Sequence, residues 1–411
     1  MALIVQKFGG TSVANAERIK NVAGRVARTR SEGNNLIVVV SAMGEMTDEL
    51  VDLAHQITDA PDEREYDMLL STGEQISVAL LAMALHTLGQ EAISFTGAQV
   101  GIRTDGWHTK ARIVSIETER IQKELNAGRI AIVCGFQGVD SEFNITTLGR
   151  GGSDTSAVAL AAAFSADLCE IYTDVDGVYT ADPRIVPEAR KLPMISYDEL
   201  LEMASLGAQV MQPRAVEFGK KYGVPMRIRS SFNDDPGTLV TKEVASMEKV
   251  VVSGVSLNEK EAKITLVGVP DKPGVAAQIF EKIGSANVVV DMIIQNVSEN
   301  GLSDISFTVP RDDVKRAIGV CEKIRADLGA KQIRADEKVA KVSAVGVGMR
   351  GHSGVAAKMF KALADEGVNI EMISTSEIKI SCVVGADRGR DALRAIHKAF
   401  DLDKAAAMIE G

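Results

Sequence analysis

The 411-residue sequence is short of several things, and each shortage closes off a class of function. Aromatic residues make up 4% of it, with a single tryptophan, too few for the stacking platform that single-stranded nucleic acid requires. Positive charge is in deficit: 46 Lys and Arg face 56 Asp and Glu, and the resulting net charge of −10 repels both nucleic acid and anionic membranes. The five histidines form neither an HExxH pair nor a cluster with cysteine, so no protein-held metal is expected. Cys134, Cys169, Cys321 and Cys382 lie far apart, mostly in apolar settings such as AIVCGF and KISCVV, as buried reduced thiols do. Nowhere do 18 apolar residues run together, and the start MALIVQKFGG lacks the basic-then-apolar pattern of a leader. A cytoplasmic protein without membrane or nucleic-acid partners is expected.

What is present is an alternation. Through about residue 230, apolar β-rich runs (ALIV, LIVVV at 36–40, IAIVCG at 130–135, LCEIYT at 168–173, PMRIR at 225–229) alternate with helical patterns near 14–30, within 48–58 and 64–88, and at 154–164. Continuous apolar strands separated by helices predict an α/β domain over 1–240 with a mainly parallel sheet covered on both faces. A polar, turn-rich passage then marks a linker at 241–249.

Beyond it the sequence repeats itself. GVPDKPGVAAQIFEKIGSANVVVDMI (268–293) aligns with GVGMRGHSGVAAKMFKALADEGVNIEMI (346–373), with Gly274 on Gly354, Phe280 on Phe360 and Met292 on Met372. The constant offset identifies two copies of one βαββαβ module. The first spans 262–337; the second spans 338–411 and lacks a good final strand, which the orphan strand at 250–257 could supply, interlocking the copies.

GVGMRG, at Gly346, Gly348 and Gly351, matches the dinucleotide pattern G-x-G-x-x-G. The corresponding loop of the first copy, GVPDKPG, has Pro270 at the middle position, so the module does not need the glycines and a pyrophosphate grip is not expected. A GxxxxGK[ST] phosphate loop is also missing.

Five stretches carry candidate chemistry. KFGGTS follows the first strand, whose carboxyl end faces the ligand crevice of an open α/β sheet. There Gly9 and Gly10 permit close backbone approach to an anion, Ser12 or Asn15 can cap the next helix, and Lys7 supplies a mobile charge. The same letters also suit a plain capped turn. TLGRGGSDTSA (147–157) sets Arg150 among glycines and opens a helix at Ser153 and Asp154; its planar guanidinium suits a carboxylate or phosphate. YTDVDGVYTADPR (172–184) is either a hairpin with solvated aspartates or a nucleotide loop with Tyr179 at the base and Arg184 at a phosphate. SAMGEMTDEL and LLSTGEQIS place Ser41, Thr47 and Glu74 beside glycines.

In this order, KFGGTSV, STGEQIS, GRGGSDTSA and TDVDGVYTADPR, followed by the twin modules, closely resemble the aspartate kinases of the amino acid kinase family over nearly the whole chain, and the modules resemble ACT domains. The resemblance implies an ATP:L-aspartate 4-phosphotransferase, using ATP with Mg2+ to make 4-phospho-L-aspartate at the entry to lysine, threonine and methionine synthesis. It implies ATP contacts at Lys7, Gly9, Gly10, Ser12, Ser41, Thr173, Asp174, Tyr179, Asp182, Arg184 and Gln209, and an aspartate pocket at Thr47, Glu74, Arg150, Gly151, Gly152 and Ser153. Lys7 and Asp154 are the implied catalytic pair. It further implies feedback inhibition by lysine, threonine or both, at Asp271, Gly274, Val275, Ala276 and Gln295 of the first module and Val355, Ala356, Asn369, Ile370, Ser376 and Glu377 of the second. A homo-oligomer or an α/β hetero-oligomer built through the modules is expected, with Met247 able to start a separate regulatory chain.

Two departures stand out. Gln209, in LGAQVMQP, replaces a lysine that many relatives use at the nucleotide, and Ser353 stands where the first module has Pro273. A kinase for glutamate or N-acetylglutamate, and an amino-acid sensor with an inactive kinase half, are the alternatives.

Overall fold

A run such as NLIVVV must be covered on both faces, and helices do this on either side of the sheet. The computed structural model describes residues 1–206, 211–242, 251–297 and 301–404, which gather into two units. The first holds Met1–Val178, Lys191–Ser205 and the described part of Gln209–Val244; the second holds Tyr179–Arg190, Leu206 and the described part of Ala245–Gly411.

In chain order the first unit contains β1 (Leu3–Phe8), α1 (Ala16–Ser31), β2 (Asn35–Val40), α2 (Met46–Ile57), α3 (Glu63–Leu70), α4 (Thr72–Thr87), β3 (Ala92–Phe95), β4 (Ile102–Thr104), β5 (Ile113–Ile116), α5 (Glu119–Asn126), β6 (Ile130–Cys134), β7 (Gln137–Val139), β8 (Ile145–Thr147), α6 (Gly152–Ala163) and β9 (Leu168–Thr173). It closes with β10 (Met194–Ser196), α7 (Tyr197–Ser205), α8 (Pro213–Tyr222), β11 (Met226–Ser230) and β12 (Thr238–Thr241). The main sheet runs β10-β12-β11-β9-β1-β2-β6-β3. It is parallel from β11 to β3, while β12 is antiparallel to β11. The chain leaves β1 for β2 on one side and later returns to β9 on the other, so the carboxyl end of β1 sits at the point where strand order reverses and a ligand crevice opens.

Local chemistry sets the helix limits. The Asn15 side chain accepts from the Arg18 N–H at 2.9 Å and starts α1; Pro213 opens α8, and Gly223 ends it at φ +66°. The single helix expected at 64–88 is divided at Ser71 into α3 and α4. Glu63–Thr87 is by length and composition apolar enough to cross a membrane, yet half of its apolar window packs inside the protein, with Val78, Leu81 and Leu85 joining Val38, Val40 and Ile132 in one core. A second small sheet, β5-β4-β7-β8, was not foreseen, because its strands are only three or four residues long.

The second unit has one six-stranded antiparallel sheet, β14-β15-β13-β16-β18-β17. It comprises β13 (Gly254–Pro270), α9 (Val275–Ser285), β14 (Ile293–Val297), β15 (Leu302–Pro310), α10 (Val314–Leu328), β16 (Gln332–Val345), α11 (Val355–Asp365), β17 (Ile370–Thr375), β18 (Lys379–Gly385) and α12 (Gly389–Ala399). The strand expected at 250–257 begins at Gly254 and continues to Pro270, with irregularities on either side of Glu261. Its first part pairs with Lys341–Val345, its second with Gln332–Asp336 and with β15, so β13 and β16 each serve both copies. Two cores result, one around Ile264, Ile283 and Phe307, the other around Val342, Met359 and Leu393.

The first unit is interrupted between Val178 and Lys191. Ala181 and Val186 fill the second core. The Thr180 carbonyl accepts from Val255 N–H at 2.7 Å, and its hydroxyl lies 2.9 Å from His397 Nε2. Segment 179–190 is therefore built into the second unit by its own apolar residues.

In GVGMRG it is Gly346 that has a packing role. A Cβ on Gly346 would lie 2.4 Å from the Val251 carbonyl, so this glycine admits a neighbouring backbone.

Candidate active site

Lys7 lies near the end of β1, where a strand residue faces the crevice. Its Nζ is 2.7 Å from Asp154 Oδ1, and both side chains are nearly buried. Asp154 belongs to the first turn of α6, a helix whose residues 152–161 are all buried. That helix packs against β1 and α8. Its alanines and small polar residues allow this close approach, and its amino end adds positive potential beside Lys7.

The paired glycines have different reasons. The Gly9 N–H is committed to the Tyr172 carbonyl at 3.2 Å, and a Cβ there would come within 3.3 Å of Lys7 Nζ; Gly9 makes room for the ammonium. A Cβ on Gly10 would press to 3.0 Å from the carbonyl oxygens of Ala42 and Gly44, so the turn after β1 can lie against the turn after β2. The Ser41 N–H donates to Phe8 O at 3.1 Å and the Gly44 N–H to Gly10 O at 3.1 Å. Ser12 donates to Ser231 Oγ at 2.8 Å, and the Ser231 N–H to Thr173 O at 3.0 Å, tying the end of β9 to the same place.

Glu74, in the first turn of α4, is buried, and its Oε1 accepts from the Ala42 N–H at 3.2 Å. Among the described residues, Oε2 has no hydrogen-bond partner. Burial pushes its pKa up to about 8, against the smaller opposing pull of backbone N–H groups. Thr47 lies in the first turn of α2, just after the Gly44 turn.

Arg150 is exposed at the β8–α6 turn. Gly149 and Gly151 flank it at φ +79° and +68°, a region costly for other residues. A Cβ on Gly151 would overlap Gln212 Cγ at 1.6 Å, and one on Gly152 would lie 2.8 Å from Leu148 Cβ. A Cβ on Gly135 would strike Ser153 at 2.6 Å, so that glycine lets Ser153 sit against the end of β6.

The structure thus brings Lys7, Gly9, Gly10, Ser12, Ser41, Thr173, Glu74, Gly152, Ser153 and Asp154 to one end of the main sheet, with Thr47 and Arg150 on adjoining turns. The Asp174 carboxylate accepts from Thr173 Oγ1 at 3.0 Å. Tyr179, Asp182 and Arg184 belong instead to the second unit, where Arg184 pairs with Asp182 at 2.8 Å and holds that carboxyl below its usual range. Gln209 and Met247 lie outside the described residues. Among the described residues no three His, Cys, Asp or Glu gather as a metal site.

Two features escaped the sequence reading. A cleft of about 530 Å3 beside Ser12 is lined by Arg18, Arg25, Arg28, Ser231 and Phe232; the basic spacing along α1 was its only trace. Asp67, completely buried, is held by groups far away in the sequence.

In the second unit, Gly274 and Gly354 cap α9 and α11 at φ +93° and +88° with open space around them. Asp271, Val275 and Ala276 flank the first cap in sequence, Gln295 lies in β14, and the Asp271 N–H donates to Gly301 O at 2.9 Å. At the second, Val355 joins the core, Ala356 and Ile370 pack against it, and Asn369 is exposed. The Ser376 N–H donates to Lys379 O at 2.8 Å, and Glu377 pairs with Arg350 at 3.3 Å.

The amino acid kinase family model matches residues 2–230, and the ACT domain model matches 264–324 and 342–400. An aspartate kinase of Stutzerimonas stutzeri is 57% identical over 404 residues, 98% of either chain. The crystal structure of aspartate kinase from Synechocystis is 49% identical and covers all of this chain and 71% of its own, with a TM-score of 0.55. Aspartokinase III of E. coli, solved with aspartate and ADP in the R-state, is 25% identical with a TM-score of 0.83, over 97% of this chain and 99% of that one.

Proposed function

This chain belongs to the amino acid kinase family and carries two ACT domains, and from that premise we propose that it transfers the γ-phosphoryl group of ATP to the side-chain carboxylate of L-aspartate, giving 4-phospho-L-aspartate. The observation that carries the reading is the Lys7–Asp154 pair, set at the strand-order reversal beside glycines that clear space for the ammonium. The relatives named for aspartate kinase, and the neighbour solved with aspartate and ADP, support the choice of substrates.

A carboxylate with a solution pKa near ~4 is already a nucleophile at neutral pH and needs no general base. The obstacle is repulsion between two anions, so catalysis amounts to positioning and charge neutralisation. In this reading Lys7 reaches the transferring phosphoryl group, oriented by Asp154. The amino end of α6 adds its dipole. Arg150 holds the α-carboxylate of aspartate, and Glu74, once ionised, accepts from its α-ammonium. Mg2+ on the nucleotide would neutralise phosphate charge. Thr173 and Asp174 serve the nucleotide, and the proposed roles of Tyr179, Asp182 and Arg184 extend along the chain from them.

Inhibition by lysine, threonine or both at the two capped loops belongs to the same proposal, as do assembly through the ACT domains, a cytoplasmic location and a place at the entry to lysine, threonine and methionine synthesis. An inhibitor acts only by favouring one global state over another. The test is ATP-dependent hydroxamate formation with aspartate and glutamate side by side, titrated with lysine and threonine singly and together. Product from aspartate is expected; product from glutamate alone would sink the assignment.

A further inference from the structure

A buried carboxylate survives only where donors surround it. Asp67, near the end of α3 and wholly buried, has four such contacts. His108 Nδ1 lies 2.8 Å from Oδ2; the Thr109 N–H donates to both oxygens at 3.1 and 3.0 Å; the Thr147 hydroxyl donates to Oδ1 at 2.5 Å. None of these donors is near Asp67 in sequence, so the carboxylate joins three separate stretches of chain.

Thr109 is itself unusual. It has φ +63°, a region in which a β-branched residue is an outlier and persists only when its surroundings hold it there. The Thr109 carbonyl then lies against the next loop: a Cβ on Gly149 would stand 3.1 Å from it. The two loops are riveted further. The Ala111 N–H donates to Thr147 O at 2.9 Å, and the Arg214 guanidinium spans Leu148 O and Ala111 O at 3.1 and 2.9 Å. Arg150 is the next residue after Gly149, and its charge is felt at Tyr66, the neighbour of Asp67.

We infer that Asp67 is a positioning residue: by holding Thr109 in its strained conformation and Thr147 in place, it sets the Gly149 turn and so the aim of Arg150 at the acceptor's carboxylate. Asp67 has no exposed surface and acts only through its partners. The inference rests on the reading above, in which Arg150 binds the acceptor. An arginine clamp that grips ground state and transition state alike alters KM and leaves kcat alone.

The test is a double-mutant cycle on the full-length enzyme with Asp67→Asn and Arg150→Ala, measuring kcat and KM for both substrates. Asparagine turns an N–H toward donors that need an acceptor. Asp67→Asn is expected to raise KM for aspartate at least about tenfold, with kcat and KM for ATP within about twofold, and to add less than about twofold in the Arg150→Ala background. Should Asp67→Asn not fold, the near-isosteric Thr147→Val, which removes one donor, carries the same expectation at a smaller size. Equal losses in kcat and in both KM values, or full additivity with Arg150→Ala, would overturn the inference and leave the acceptor reading intact. No change in KM for aspartate in Arg150→Ala alone would overturn both.

Discussion

The Lys7 ammonium and the Asp154 carboxylate stand 2.7 Å apart with about a tenth of each side chain exposed. Replacing a buried ion pair wholesale is often tolerated, whereas removing one partner strands the other's charge at a cost of about 3–5 kcal/mol.

Lys7→Ala is therefore expected to lower both turnover and stability. Turnover should fall by about a thousandfold, the scale of losing one charge-stabilising donor. Adding Asp154→Asn should recover stability, read from the urea midpoint, without recovering turnover. Turnover in Lys7→Ala close to wild type would remove this lysine from the chemistry.

If Glu74 lines the aspartate site as proposed, that site should be sensitive to pH. Burial raises its pKa to about 8, so between the ordinary carboxyl range and pH 8 the empty enzyme holds a proton there that the unfolded chain does not. Its contribution to stability is thus complete below the ordinary carboxyl range and is lost as pH rises toward 8. Binding an ammonium favours the ionised form, so KM for aspartate should fall as pH rises from 6.5 to 8.5, with proton release on binding. Calorimetry in two buffers of different ionisation enthalpy measures that proton; Glu74→Gln should abolish both effects.

Gly151→Ala asks for the impossible at one atom, since the new Cβ would sit 1.6 Å from Gln212 Cγ in a backbone already at φ +68°. The strain alone is worth about 1–3 kcal/mol, and relief requires the Arg150 turn or the start of α8 to move. A lowered urea midpoint with a raised KM for aspartate is expected. An unchanged KM would separate this turn from substrate binding.

His397 fastens segment 179–190 within the second unit through Thr180, and burial depresses its pKa, opposed by the charges of Asp403 and Glu188. Depression means that the stabilisation is present above the unfolded histidine pKa and is lost as pH falls through the folded one. Corrected for the intrinsic base-catalysed rate, the hydrogen-exchange protection of 179–190 should fall below about pH 6.5, and His397→Gln should flatten that dependence. A protection factor that ignores pH in the native protein would contradict it.

The sequence by itself determined the class of each half. Continuous β-branched runs separated by helical patterns allow only a covered, mainly parallel sheet, and the constant offset between GVAAQIF and GVAAKMF shows one module used twice. Both signals are local or periodic, so a reader of the chain can see them. Lys7, the glycines beside it and the Arg150 turn were legible for the same reason, as short motifs at strand ends.

What only the tertiary structure decided depends on partners far apart in the chain. That Gly9 makes room for an ammonium, that Asp67 meets His108, Thr109 and Thr147, and that 179–190 belongs to the second unit are facts of packing. So is the single strand from Gly254 to Pro270 that serves both module copies. Propensity and periodicity select an element and its buried face. Which distant element completes that face is set by shape, by donors meeting acceptors and by charges that burial forces to pair, and these exist only once the chain has closed on itself.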